Sequence, residues 1–180
     1  RKPPSRSDIL FQPYYYKYMV IGSDDGSIEI FATPKLQLLC VLKSFHKLIQ
    51  SLAWHPLHIG ASTVPSAYEN WLATASNEHD IHVWNLSEVL VPASDTQEVV
   101  ALKDNLDASN DEHLKRDESE NSDEHQCDTP VFSTPTAILS GHHQRVIFLT
   151  WSPHEDAKLL SVSYDCTAQI WDVAAKTPIS

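Results

Sequence analysis

Ser163, Asp165 and His142 are the three residue types of a hydrolytic triad: a hydroxyl nucleophile, a carboxylate and an imidazole base. Acyl-transfer chemistry would need the hydroxyl within reach of the imidazole and preorganised donors around an exposed oxyanion position. Nothing in the sequence marks such a position, so no catalytic residue is assigned and an enzyme is not expected. The ten histidines are no better placed for metal chemistry. None falls in a Cys-x-x-Cys or His-Glu-x-x-His arrangement, so no metal is expected. Four glycines in the whole chain leave no glycine-rich loop to cradle a phosphate, and no cofactor is expected.

The elements that carry these residues repeat. Met19–Phe31, Leu72–Trp84 and Leu159–Trp171 share one pattern, seen in Ser23/Asp25/Phe31, Ser76/Glu78/Trp84 and Ser163/Asp165/Trp171. Each is two short alternating runs about a polar turn, which predicts a β-hairpin. A second element precedes two of them: Phe45–Pro56 matches Gly141–Pro153, both ending in Trp-x-Pro, where a strand must stop pairing. Further short strands are predicted at Leu38–Leu42 and Ala137–Leu139, giving four strands per unit. The opening strand of the first unit is not visible in the pattern.

Two segments interrupt the period, Leu57–Asn70 and the longer Ser87–Thr134. The chain has 180 residues and formal net charge −11, and most of that charge lies between Asp95 and Asp128, opposed only by Lys103, Lys115 and Arg116. Such an acidic, aromatic-poor segment buries too little apolar surface to offset its ordering entropy, so disorder is expected there. The remainder is close to neutral, and the acidic total therefore does not exclude a nucleic-acid partner. Cys40, Cys127 and Cys166 are odd in number and far apart, which suits a reducing compartment. No apolar run is long enough for a membrane span or a signal peptide, so no membrane partner is expected.

Gly141-His142 followed by Trp171-Asp172 resembles the signature of the WD40-repeat family. The resemblance implies an all-β fold, a WD40 β-propeller fragment of about three blades, around 14–42, 43–86 and 135–180. The acidic insertion, 87–134, would then join a third to a fourth strand at the bottom face. It further implies that His142, Ser163, Asp165 and Trp171 form a buried structural tetrad. In such blades partners bind the top face, near the turn before the first strand and beside the tetrad acid. Those positions are Arg145, Ile147 and Tyr164 in the last blade, and Leu48, Gln50 and Asn77 with adjacent Lys47 in the middle one. In the first blade only Asp24 can be placed. A guanidinium beside a phenol ring suits single-stranded RNA, whose bases stack on aromatics while cations hold its phosphates. Three blades do not close a ring, so the remaining blades of the parent chain are implied partners.

A narrower resemblance lies in Ile21–Phe31, Leu38–Cys40, His46–Leu48, Leu139–His142, Trp151–His154, Ser163–Asp165 and Thr167–Asp172. These are similar to the snRNA-recognising WD40 subunits of the SMN complex. That family implies recognition of the uridine-rich Sm site and the cap region of snRNA, SMN-complex proteins as partners, and a cytoplasmic and nuclear location. Its RNA surface maps here onto Arg145 and Tyr164, with Ile147, Lys47 and Asn77 around them. The alternative is a protein-interaction scaffold that takes a peptide on the same face. Cys166 departs from the family pattern, where glycine is expected.

Overall fold

The computed structural model describes residues 5–13, 17–33, 35–43, 45, 47–56, 67–68, 70–90, 129–155 and 157–179. The chain divides into two units, Arg1–Val89 with Thr129–Ser180, and Leu90–Asp128. Of the second, only Leu90 is among the described residues, so the acidic core of the insertion and the disorder expected of it lie outside them.

Every described strand belongs to the first unit, in three sheets that are antiparallel except for one short edge strand. The first holds β1 (Arg6–Phe11), β2 (Tyr18–Ser23), β3 (Ser27–Ala32) and β4 (Gln37–Lys43). The second holds β5 (Ile49–Trp54), β6 (Trp71–Ser76), β7 (Ile81–Asn85) and, across the insertion, β9 (Ala137–Leu139). The third holds β10 (Val146–Trp151), β11 (Lys158–Ser163), β12 (Ala168–Asp172) and β13 (Thr177–Pro178). A two-residue strand, β8 (Val131–Phe132), adds to the outer edge of the first sheet, parallel to β4.

The sheets are offset from the sequence repeats. Ala137–Leu139 closes the second sheet, with Ala137 against Val83 and Leu139 against Ile81, so the third sheet begins at Val146 and not at residue 135. The first sheet opens at Arg6, ahead of the expected boundary at residue 14. Its signal was a weaker copy of the strand ending: Phe11-Gln12-Pro13 stands where Trp54-His55-Pro56 and Trp151-Ser152-Pro153 end the other two first strands. Part of the expected insertion is a strand: ahead of residue 134, apolar Val131 and Phe132 pair with Val41 and Leu42.

The first strands β1, β5 and β10 are neighbours in that order, and the sheets pack face to face behind them. Period-2 alternation aims one side of each strand into these seams. Between the second and third sheets lie Ala53, Ala73, Ala75, Val83 and Leu139, with Val146, Leu149, Trp151, Leu159 and Trp171. Small alanines here leave room for the indoles. At the first seam Gly22 makes the close approach: a Cβ on it would lie 2.7 Å from Ile49 Cγ2.

Each first strand carries a bulge at the same place, between Arg6 and Asp8, Ile49 and Ser51, and Val146 and Phe148. The extra residues, Ser7, Gln50 and Ile147, are left unpaired there, and a bulge of this kind re-aims its side chain.

Candidate nucleic-acid interface

Behind the candidate surface lies a buried polar chain. Trp171 Nε1 donates to Ser161 Oγ at 2.8 Å, Ser161 Oγ lies 2.7 Å from His142 Nε2, and His142 Nδ1 lies 2.9 Å from Asp165 Oδ2. An ionised carboxylate only accepts, so Nδ1 carries the proton and Nε2 accepts from the serine hydroxyl. Three of the four expected members are therefore in contact. The fourth, Ser163, is corrected to Ser161.

The reason is strand register. Ser161 and Ser163 share the inward face of β11, but Trp171 pairs with Leu159, so its indole reaches the serine two residues on. Ser163 instead donates to the Gln144 carbonyl at 3.0 Å and accepts from the Asp165 amide at 3.1 Å. Ser76 does the same for the Glu78 amide at 3.1 Å. In the second and third sheets the serine that recurs in the sequence is thus a turn cap, whereas Ser23 Oγ accepts from the Arg6 guanidinium at 3.2 Å. Ser161, the serine that touches the imidazole, is 0% exposed, and Ser163, the serine of the triad pattern, bonds to the Gln144 carbonyl instead.

In the second sheet Thr74 stands at the Ser161 position and accepts from Trp84 Nε1 at 3.1 Å. Phe45 replaces the histidine and stacks on His82, centroids 3.9 Å apart and planes at 10°. Burial pushes the His82 pKa down. His46, the alternative for the histidine position, lies outside the described residues.

Asp165 fixes the turn above the chain, accepting from the Thr167 hydroxyl and, at 2.9 Å each, from the amides of Thr167 and His143. The Thr167 hydroxyl first, then the His143 amide and His142, hold its carboxyl well below the usual carboxylate range. A depressed folded-state pKa adds stability above the unfolded value, near 4, and that stability is lost as pH falls through the carboxylate range. The thermal midpoint of the wild-type protein should therefore fall more steeply than that of Asp165→Asn between pH 6 and pH 3; parallel curves would show that Asp165 carries no such coupling. Cys166, at the departure from glycine, has φ 66°, and its first-sheet counterpart Gly26 has φ 85°. The first- and third-sheet turns take left-handed backbone here, and at Cys166 this costs about 1–2 kcal/mol.

One backbone bond repeats at the three turns: Asp24 N to Ser5 O at 2.9 Å, Asn77 N to Leu48 O at 2.9 Å, and Tyr164 N to Arg145 O at 3.1 Å. Asp24, Asn77 and Tyr164 thus occupy equivalent places, and Ser5 supplies the first-sheet partner that sequence reasoning missed. Val146 N donates to Glu78 O at 3.4 Å, bringing the Asn77 turn beside Arg145. The Arg145 guanidinium carbon sits 4.0 Å from the Tyr164 ring centroid, a cation–π contact, while Tyr164 remains 51% exposed. The cation lies over the ring, and about half of the residue stays open to solvent. Ile147 is exposed on its bulge, and Lys47 is exposed next to Leu48. Asn77 is half-buried, its Oδ1 without a hydrogen-bond partner among the described residues. No cluster of His, Cys, Asp or Glu among the described residues could hold a metal.

Residues 133–172 match the family described as WD domain, G-beta repeat. That stretch is a WD40 repeat. The chain is 35% identical over 164 residues to Gem-associated protein 5 of Homo sapiens and 34% identical over the same length to that of Mus musculus. Each match takes in 91% of this chain but 8% of the relative, so the chain spans a small part of the curated relatives' length. Among solved structures it resembles a chain of the mitotic checkpoint complex, with TM-score 0.62, 14% identity, and coverage of 100% of this chain and 37% of that one. It also resembles the Cps50 (Swd1) β-propeller domain of Myceliophteria thermophila, with TM-score 0.58, 11% identity, and coverage of 96% and 37%. At such identities these establish the fold alone: three sheets of WD40 type, an arc of a propeller.

Proposed function

We propose that this chain is part of an RNA-binding platform acting in spliceosomal snRNP assembly within the SMN complex, in cytoplasm and nucleus, and that its turn rim takes single-stranded, uridine-rich snRNA. The observation that carries the reading is the Arg145–Tyr164 pair, a guanidinium 4.0 Å from a ring that is half open to solvent. A base stacks on the free part of the ring while the guanidinium reaches a phosphate. Ile147, Lys47 and Asn77 flank the pair. The similarity to Gem-associated protein 5 supports the setting, and the remaining blades and other SMN-complex proteins complete the surface. The buried Ser161–His142–Asp165 chain serves rigidity, since a fully satisfied polar network fixes one packing.

The test is the salt dependence of binding to a uridine-rich oligonucleotide by the full-length protein. Arg145→Ala should flatten the slope of log K against log salt by about 0.7, one phosphate's worth for a single strand. An unchanged slope in a folded variant removes Arg145 from the RNA contact. A second reading, a peptide on the same rim, is favoured by Ile147, 37% exposed on its bulge. Peptide capture that survives where RNA binding is absent would select it.

A further inference from the structure

The stretch from Thr129 to Leu139 serves two sheets in turn. β8 lies along β4, with Val41 N donating to Pro130 O at 3.0 Å, and after four residues β9 pairs with β7. Within this stretch the same dipeptide occurs twice, Thr129-Pro130 and Thr134-Pro135. The sequence does not distinguish them; their surroundings do. Thr134 is exposed, and residues 133–135 belong to no strand. A residue before proline is held extended, the form in which a peptide lies across a kinase cleft. Thr129 is half-buried, and the residues that follow it are bonded to β4.

We propose that Thr134 is the acceptor for a proline-directed serine/threonine protein kinase, and that the pairing of β8 with β4 withholds Thr129. The Thr134 Oγ1 attacks the γ-phosphorus of ATP, the bond to ADP breaks, and the hydroxyl proton passes to the kinase's carboxylate base. The other described serines and threonines that precede proline lie in bonded backbone, and at Thr33, before Pro34, the amide donates to the Lys17 carbonyl at 2.8 Å. Ser152 Oγ accepts from the His154 and Glu155 amides in a turn, and Thr177 pairs with Asp172 in the β12–β13 ladder. Phosphate at Thr134 would place about −1.5 to −2 charge in a strip that exposes Val131, Phe132 and Ile138. An apolar outer wall thereby becomes anionic, which alters what can dock on it.

The experiment treats the folded full-length protein with a purified proline-directed kinase and ATP, and follows site occupancy by mass spectrometry. A synthetic peptide spanning residues 126–139 carries both motifs with no β4 to pair against, and sets the intrinsic preference. In the folded protein Thr134 should be modified faster than Thr129 by on the order of tenfold more than in the peptide, the protection that one or two ladder hydrogen bonds supply. Thr134→Ala should remove the main product. Equal ratios in protein and peptide, or no phosphate on Thr134 of the folded protein, would overturn the proposal.

Discussion

Trp171→Ala is expected to lower the unfolding free energy by about 3–5 kcal/mol, the usual cost of removing a large buried aromatic. Trp171 is 0% exposed and fills the seam between the second and third sheets against small residues that cannot close the void. Its loss also leaves Ser161 Oγ without its indole donor. Ser161→Ala should cost about 1–3 kcal/mol, since it leaves the indole N–H and the His142 Nε2 buried and unpaired. Ser163→Ala should cost less, because Ser163 only caps Gln144 and Asp165 at the end of its strand. Equilibrium denaturation of the three variants measures all of this. A Ser163→Ala loss larger than that of Ser161→Ala would contradict the network assigned here.

That ordering shows how much the sequence revealed. The hairpins were legible because alternation, turn residues and a terminal aromatic repeat three times, and β2–β3, β6–β7 and β11–β12 lie where the pattern places them. The tetrad serine was misplaced because the repetition marks the turn hydroxyl, which caps at Ser76 and Ser163, and not the network hydroxyl. The network position varies, Ile21, Thr74 and Ser161, and so leaves no repeat to find. β1 escaped because Arg6, Ser7 and Asp8 give no apolar alternation at a bulge; only Phe11-Gln12-Pro13 could have disclosed it. The pairing of β8 is non-local and two residues long, below what any periodicity can signal. At the rim, the repeat pattern placed Asp24, Asn77 and Tyr164 at one position, and the backbone bonds to Ser5, Leu48 and Arg145 add the first-sheet partner, Ser5, that the pattern did not give.

Tyr164→Ala is the second large effect, and it concerns binding instead of stability. The ring is 51% exposed and the backbone bond from Tyr164 N to Arg145 O survives the substitution, so the fold should persist. Base–aromatic stacking is worth about 1–3 kcal/mol, and the loss should appear as roughly 5- to 150-fold weaker binding of single-stranded RNA. Tyr164→Phe keeps the plane and should retain most of the affinity, which separates stacking from any hydrogen bond made by the phenol.

Affinity for a uridine-rich single strand, measured on the full-length protein with Tyr, Phe and Ala in turn at position 164, probes the open ring face itself. Tight binding with either aromatic and a loss on the order of tenfold or more with Ala is the outcome required of a stacking platform. A folded Ala variant that holds the strand as tightly as the native protein would mean that RNA does not touch this rim.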